Sequence, residues 1–368
     1  MAESRDDRPT PIPLRGIHHV EIWAGNAKQS AYFYRKAYGM SQLAYAGLET
    51  GQRDRASYLL GQNDIRLVIT SPLDEGGPVS EHIARHGDGV RDIAFAVEDV
   101  DAAFALAVER GARPAVEPRD ERDANGAVRR AAIHTYGDTL HSFVDARGYH
   151  GPFLPGFAEQ RVEEPGCGLV LVDHIVGNVE LGKMNEWADW YRRVFGFHRY
   201  ITFDDKDIST EYSALQSVVM SDDDHVVKFP INEPAEGKRR SQIQEYLDFY
   251  KTAGAQHIAL LTNDIIATVT RMKEQGVEFL EAPAAYYETV LDRVGPIDEP
   301  LSRLQPLGVL IDRDESGYLL QIFTRPVQDR PTLFYEVIQR KGARGFGKGN
   351  FKALFEAIEA EQARRGNL

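Results

Sequence analysis

The chain has almost no cysteine. Cys167 is the only one in 368 residues, so no disulfide can close within the chain and no cysteine cluster can hold a metal. A lone thiol fits the reducing cytoplasm. Long apolar runs are missing too, and nothing approaches the roughly 20 residues that a membrane-spanning helix needs. The first residues, Met1-Ala2-Glu3-Ser4-Arg5-Asp6-Asp7-Arg8-Pro9, lack the apolar stretch of a secretory signal. Residues 1–13 are expected to form a disordered tail. Positive charge is also scarce: 43 Lys and Arg face 56 Asp and Glu, a net charge of −13. That balance argues against nucleic acid or an anionic membrane as a partner.

What remains is a soluble globular composition, 42% hydrophobic and 27% charged. The length exceeds one ordinary core, so two domains are expected. An internal repeat supports this division. Ile17-His18-His19-Val20, followed by a helical run ending Tyr34-Arg35-Lys36-Ala37-Tyr38-Gly39, recurs as Val172-Asp173-His174-Ile175 with Tyr191-Arg192-Arg193-Val194-Phe195-Gly196. Val90-Arg91-Asp92-Ile93-Ala94 recurs as Ala255-Gln256-His257-Ile258-Ala259. The unit is a strand, a helix and further strands, twice in each half. The expected limits are a first domain over 14–150 and a Pro- and Gly-rich linker over 151–168. A second domain over 169–344 and a glycine hinge with a terminal helix over 345–368 follow. In that helix Phe351, Leu354, Phe355 and Ile358 share one face. The helix would either pad the core or cover an opening.

Three residues of the second half stand out. His174, His257 and Glu336 each sit inside a short apolar strand, where a polar group without a partner is costly. No local motif joins them, so only strands curled around a common cavity could do so. Two imidazoles and a carboxylate on one face of a metal suit non-haem Fe(II), with the other face open. Aligning the halves matches His19 with His174, Asp92 with His257 and Phe143 with Glu336. On that alignment the first half has lost its third ligand to a ring.

Other signals carry less. Gly342, Gly347 and Lys348 begin a phosphate-loop pattern, but Gly349 stands where a Ser or Thr would hold Mg²⁺. His82 and His86 lack the glutamate of a zinc helix and are expected to be solvated. Asp222-Asp223-Asp224 reads as a hairpin turn.

Several motifs in order then point to a family. They include Ser217-Val218-Val219, Pro230-Ile231-Asn232-Glu233-Pro234, Ser241-Gln242-Ile243-Gln244, Gln256-His257-Ile258-Ala259, Leu320-Gln321-Ile322-Phe323-Thr324 and Gly345-Phe346-Gly347-Lys348-Gly349-Asn350-Phe351. The chain resembles the vicinal-oxygen-chelate, or glyoxalase-like, proteins, and its second half resembles the 4-hydroxyphenylpyruvate dioxygenases. The resemblance implies an α+β fold of two glyoxalase-like domains, each built from paired βαβββ modules. The second domain would form an open, barrel-like sheet around a metal.

The implied activity is oxidative decarboxylation and ring hydroxylation of 4-hydroxyphenylpyruvate with O₂, giving homogentisate and CO₂ in tyrosine and phenylalanine catabolism. Fe(II) would be held by His174, His257 and Glu336. Ser217, Asn232, Gln242, Gln256, Gln321, Phe323, Phe346, Asn350, Phe351 and Leu354 would bind the substrate. Asn232, Gln242 and Gln321 among them would act in catalysis. A homo-oligomer, dimer or tetramer, is expected from the same resemblance. Three rival readings stand beside this one. A 4-hydroxymandelate synthase would use the same substrate. A non-catalytic binding protein would use the same scaffold. A different metal would give isomerase or ring-cleavage chemistry.

Overall fold

The computed structural model describes residues 8–203, 214–235 and 240–367. The first seven residues of the expected tail lie outside these. The first half opens with strand β1 (Gly16–Trp23), helix α1 (Ala27–Tyr38) and strands β2 (Ser41–Ala46), β3 (Arg55–Gln62) and β4 (Ile65–Pro72). A second module follows: α2 (Pro78–His86), β5 (Gly89–Ala96), α3 (Val100–Glu109), β6 (Pro114–Asp123), β7 (Gly126–His134) and β8 (Leu140–Asp145). Strand β9 (Ala158–Val162) then leads into the second half.

There the plan repeats with β10 (Leu169–Asn178), α4 (Met184–Phe195), β11 (His198–Phe203), β12 (Ala214–Ser221) and β13 (Lys228–Ala235). Its second module holds α5 (Gln242–Tyr250), β14 (Gly254–Thr262), α6 (Ile265–Glu274), α7 (Ala284–Val294) and α8 (Leu301–Leu304). Strands β15 (Leu310–Asp314), β16 (Gly317–Phe323) and β17 (Phe334–Lys341) and helix α9 (Phe351–Arg364) complete the chain.

Among the described residues the strands form two sheets, ordered β6-β7-β8-β5-β1-β4-β3-β2-β9 and β11-β12-β13-β10-β14-β17-β16-β15. Leaving β9 aside, the two orders are the same arrangement read in opposite directions. The repeat in sequence is therefore a repeat in topology, and the α+β architecture of two glyoxalase-like halves is present. Each first helix carries its aromatic stripe inward: Tyr34 and Tyr38 on α1, Trp190, Tyr191 and Val194 on α4 are buried. Both end at a glycine in the left-handed region, Gly39 at φ 64° and Gly196 at φ 76°, where a side chain would be strained.

The halves are fused through their core. Tyr335 of β17 points away from the cavity, packs on Tyr38 at 5.0 Å between ring centroids, and shares a 2.9 Å hydrogen bond with Tyr34.

The ladder register corrects the alignment of the third ligand position. β14 and β17 pair Ala259 with Glu336, and β5 and β8 pair Asp92 with Leu140 and Phe95 with Phe143. Ala94, the counterpart of Ala259, therefore lies opposite Ser142, so Ser142 and not Phe143 holds the place of Glu336. Successive side chains of a strand face opposite ways, so a slip of one residue exchanges cavity for core. Phe143 is indeed core, 6.1 Å from the ring of Phe195.

Three further expectations change. Part of the supposed tail is packed: Ile12 is buried and its N–H donates to the Phe195 carbonyl at 3.0 Å. Within 151–168, β9 adds to the edge of the first sheet beside β2, and Gln62 Oε1 accepts from the N–H groups of Cys167, Gly168 and Leu169. His82 and His86 are buried, not solvated. The ring of His86 stacks on Tyr250 at 4.4 Å, and its Nε2 lies 2.7 Å from Asp138. Tyr250 belongs to the second half, and the pattern of α2 alone does not reveal that partner.

Candidate metal centre

The sheet of the second half curls so that three strands aim one side chain each at a single point. β10 brings His174, β14 brings His257 and β17 brings Glu336, and their ligand atoms lie within 4.8 Å of one another. The carboxylate Oε2 of Glu336 is 3.2 Å from His174 Nε2 and 3.5 Å from His257 Nε2. All three residues are buried. Such spacings suit adjacent ligands on one face of a single ion and leave the opposite face free. The donor set fits a non-haem iron site, with two neutral imidazoles and one anionic oxygen.

Electrostatics without the ion show what the ion would replace. Burial works against a charged Glu336, yet the His174 charge and hydrogen bonds from both histidines outweigh it and hold the carboxyl at about 2. Burial likewise disfavours a charged His174, but Glu336 and Asp173 together raise it. His257 is lowered, because burial there exceeds the help from Glu336. Glu336 and His174 thus each favour the other's charged form, and a metal cation held at the same point would favour the Glu336 carboxylate in the same way.

Both histidines present Nε2 to the centre because Nδ1 is engaged. His257 Nδ1 lies 3.1 Å from Gln256 Oε1, and His174 Nδ1 lies 2.7 Å from Asp173 Oδ1. Neighbours on a regular strand cannot meet in this way. The pairing of β10 with β14 shifts between Val172 and His174, and this bulge turns Asp173 toward the ring of His174.

Arg340 holds Asp173 with two 2.8 Å bonds from Nε and Nη2, and Lys228 Nζ adds a 3.2 Å contact. Burial works against a charged Asp173, but Arg340 and His174 outweigh it and keep the carboxyl well below the usual carboxylate range. Arg340 also donates to the Gly345 carbonyl at 2.7 Å and lies 5.4 Å from the Phe346 ring. Phe346 in turn meets His174 edge-on at 4.9 Å. The sequence reading missed the roles of Asp173, Arg340 and Lys228. An aspartate inside an apolar strand beside His174 was the available signal.

Beside the three ligands lies a narrow slot. Its apolar walls include Phe323, Phe334, Phe346, Phe351, Leu354 and Phe355, and its polar atoms come from Ser217, Asn232, Gln242 and Gln256. Ser217 and Asn232 are paired across β12 and β13, so they present their groups together. Phe334, two residues before Glu336, stacks on His257 at 4.8 Å. The period of two could have flagged it.

Two expected site residues stand apart from the slot. Asn350 is fully buried, and its Oδ1 accepts from Tyr286 at 2.7 Å and Arg293 at 3.2 Å. It fastens the start of α9 to α7 and is not a slot residue. Gln321 lies on the cavity face of β16, two residues from Phe323, but Gly347 covers it. A Cβ at Gly347 would come within 2.4 Å of Gln321 Oε1. Helix α9 closes the slot from above, with Arg365 on Glu245 at 2.8 Å and Glu361 on Arg325 at 3.1 Å.

Comparison with known proteins agrees with this geometry. Two stretches, 18–128 and 171–322, match models of the Glyoxalase/Bleomycin resistance protein/Dioxygenase superfamily. The 4-hydroxyphenylpyruvate dioxygenase of Xenopus tropicalis is 49% identical, over 96% of this chain and 92% of its own. That of Dictyostelium discoideum is 48% identical over 96% and 100%, and that of Yarrowia lipolytica 47% over 96% and 94%. A solved mutant of 4-hydroxymandelate synthase from Streptomyces coelicolor superposes with a TM-score of 0.85 at 33% identity, over 95% of this chain and all of that one. Identity at this level over nearly the whole length settles the matter: the chain belongs to the 4-hydroxyphenylpyruvate dioxygenase family.

Proposed function

We propose that the chain converts 4-hydroxyphenylpyruvate and O₂ to homogentisate and CO₂ at Fe(II) held by His174, His257 and Glu336. The observation that carries this reading is the convergence of two Nε2 atoms and one carboxylate at the mouth of an aromatic slot. Bound iron would supply the redox chemistry that lets O₂ react with an organic substrate.

The protein's own part is to bind, orient and keep the site dry. Two neutral imidazoles and one carboxylate leave a divalent ion with net positive charge, which complements an anionic 2-oxo acid. The phenylalanine rings of the slot would fix the plane of the substrate ring. Ser217, Asn232 and Gln242 would take its phenol end with neutral donors and acceptors, adding no charge near the metal. Gln256 would do less for the substrate than for His257, whose tautomer it sets. Gln321, beneath Gly347, would reach the reacting end only if the glycine turn shifts. Position of the ring relative to the iron decides the product.

The experiment is anaerobic loading with Fe(II), addition of 4-hydroxyphenylpyruvate and O₂, and chromatography with mass spectrometry. Homogentisate is the expected product. 4-Hydroxymandelate would transfer the reading to the synthase, and no product from iron-bound protein would overturn it. Assembly into a dimer or tetramer belongs to the same proposal and is read by sedimentation. No helix among the described residues is long and apolar enough to cross a membrane.

A further inference from the structure

One stretch of the second half has no counterpart in the first. The first half passes from α3 to β6 through residues 110–113, and β6 then lies along β7, from Pro114 opposite Ile133 to Asp123 opposite Gly126. In the second half the equivalent edge is split. Phe279 bridges Thr324, the chain leaves to form α7 and α8, and it returns as β15 with Leu310 opposite Gln321. The first half folds without this excursion, so packing of the shared scaffold does not require it. An insertion confined to one copy of a repeat often serves the face where that copy binds.

The side chains of α7 go to the turn that begins α9. The Tyr286 hydroxyl sits 2.7 Å from Asn350 Oδ1 and 2.8 Å from the Ile311 carbonyl, and it accepts from the Ile311 N–H at 2.7 Å. Arg293 Nη2 donates to the Ile311 carbonyl at 2.9 Å and to Asn350 Oδ1 at 3.2 Å. Its Nη1 pairs with Asp312, whose other carboxylate oxygen accepts from the Gly349 N–H at 3.0 Å. These groups close so tightly on the turn that a Cβ at Gly349 would strike both Arg293 and Asp312.

Phe346 and Phe351, on either side of that turn, both wall the slot. The Tyr286 ring also packs into the cluster of Phe323, Phe334, Leu310 and Ala353, the first two of which are slot residues. Tyr286 and Arg293 themselves stand behind the wall and do not line the slot.

We propose that Tyr286 and Arg293 are positioning residues for the reaction. They fix the Gly349–Asn350 turn, and through it the Phe346 and Phe351 walls that set the pose of the substrate ring. This role rests on the activity proposed above. It leaves the metal alone, because the ligands lie on β10, β14 and β17.

The test compares Tyr286→Phe, which deletes one hydroxyl and keeps the ring, with Arg293→Met, which deletes the fork. The control is Tyr287→Phe, the same deletion one residue on, where the hydroxyl donates to the Val309 carbonyl at 3.0 Å. Three quantities are read on the full chain: amide hydrogen exchange over residues 346–355, Co(II) affinity, and homogentisate formed per O₂ consumed by iron-loaded protein given 4-hydroxyphenylpyruvate. Both positioning variants should exchange about fivefold faster over the turn, the order of one lost hydrogen bond. Their homogentisate yield per O₂ should fall by about twofold or more, since a misplaced ring spoils the productive geometry. Loss of folded protein alone would not move that ratio. Tyr287→Phe should match wild type in exchange and yield, and all three variants should keep its Co(II) affinity.

Wild-type exchange and yield in either positioning variant overturn the role. An equal change in Tyr287→Phe does so too, because the insertion would then act by packing alone. Faster exchange with unchanged yield shows that the turn does not set the pose, and a parallel loss of Co(II) affinity shows that the metal centre is disturbed; each is a refutation. A wild-type chain that makes no homogentisate defeats the functional reading instead, and exchange in Tyr286→Phe against Tyr287→Phe then judges the hold on the turn.

Discussion

Replacing Asp173 by Asn is the sharpest test of how the metal centre is held. The carboxylate is buried, takes two 2.8 Å bonds from Arg340, lies 3.2 Å from Lys228 and sets His174 through a 2.7 Å contact. Asparagine keeps the shape but deletes the charge. Lys228 has an escape: burial already lowers its pKa, with Asp173 opposing, so it can shed its proton. Arg340 has none, because a guanidinium stays charged. The cost is therefore set by one buried, uncompensated cation, about 3–5 kcal/mol.

Metal affinity should fall by roughly 10–100-fold, since the group orienting His174 is weakened. Thermal unfolding of the metal-free protein reads the first number and titration with Co(II) the second. The double variant Asp173→Asn, Arg340→Met removes both charges and should recover much of the stability but not the metal affinity. Unchanged stability and unchanged affinity in Asp173→Asn would refute the reasoning. A double variant as unstable as the sum of its parts would show that Arg340 acts by packing alone.

Glu336→Gln should leave the fold intact and reduce both iron binding and turnover by about 100-fold or more; near-normal turnover would remove Glu336 from the site. Gly347→Ala should cost about 1–3 kcal/mol of local strain, because φ is +79° and the new Cβ would strike Gln321, with turnover falling more than global stability; wild-type kinetics would mean the turn moves freely. Metal binding should release a proton near pH 6.5, because the metal-free His174 is raised above that value while His257 is lowered and Glu336 is ionised. The stabilisation from charged His174 is full below 6.5 and is lost as pH rises through its folded value, so proton release fades over the same window. Calorimetry in two buffers of different ionisation enthalpy measures it, and no buffer dependence at pH 6.5 would contradict the shift.

What could be read from residues alone followed periodicity. The duplication, both first helices and the three convergent strand residues were legible because each is a local pattern inside an apolar run. Failures came where the answer depended on distant partners. Sequence similarity alone sets Phe143 against Glu336, and only the hydrogen-bonded ladder shows that Ser142 is the counterpart. The burial of His82 and His86 is set by Tyr250, 164 residues from His86 in the chain. Asn350 carries a motif residue's address but spends its side chain on α7. Asp173 and Arg340 are 167 residues apart, and nothing local joins them.

The two faces of β17 carry a consequence for modularity. Glu336 looks into the catalytic cavity, while Tyr335 beside it is roofed by Tyr34 and Tyr38 of the opposite half. A second half produced on its own would present that ring to water on the very strand that delivers the carboxylate. The two halves therefore divide labour without being separable: the first carries Ser142 where its sister has Glu336, yet it supplies the helix on which its sister's strand rests.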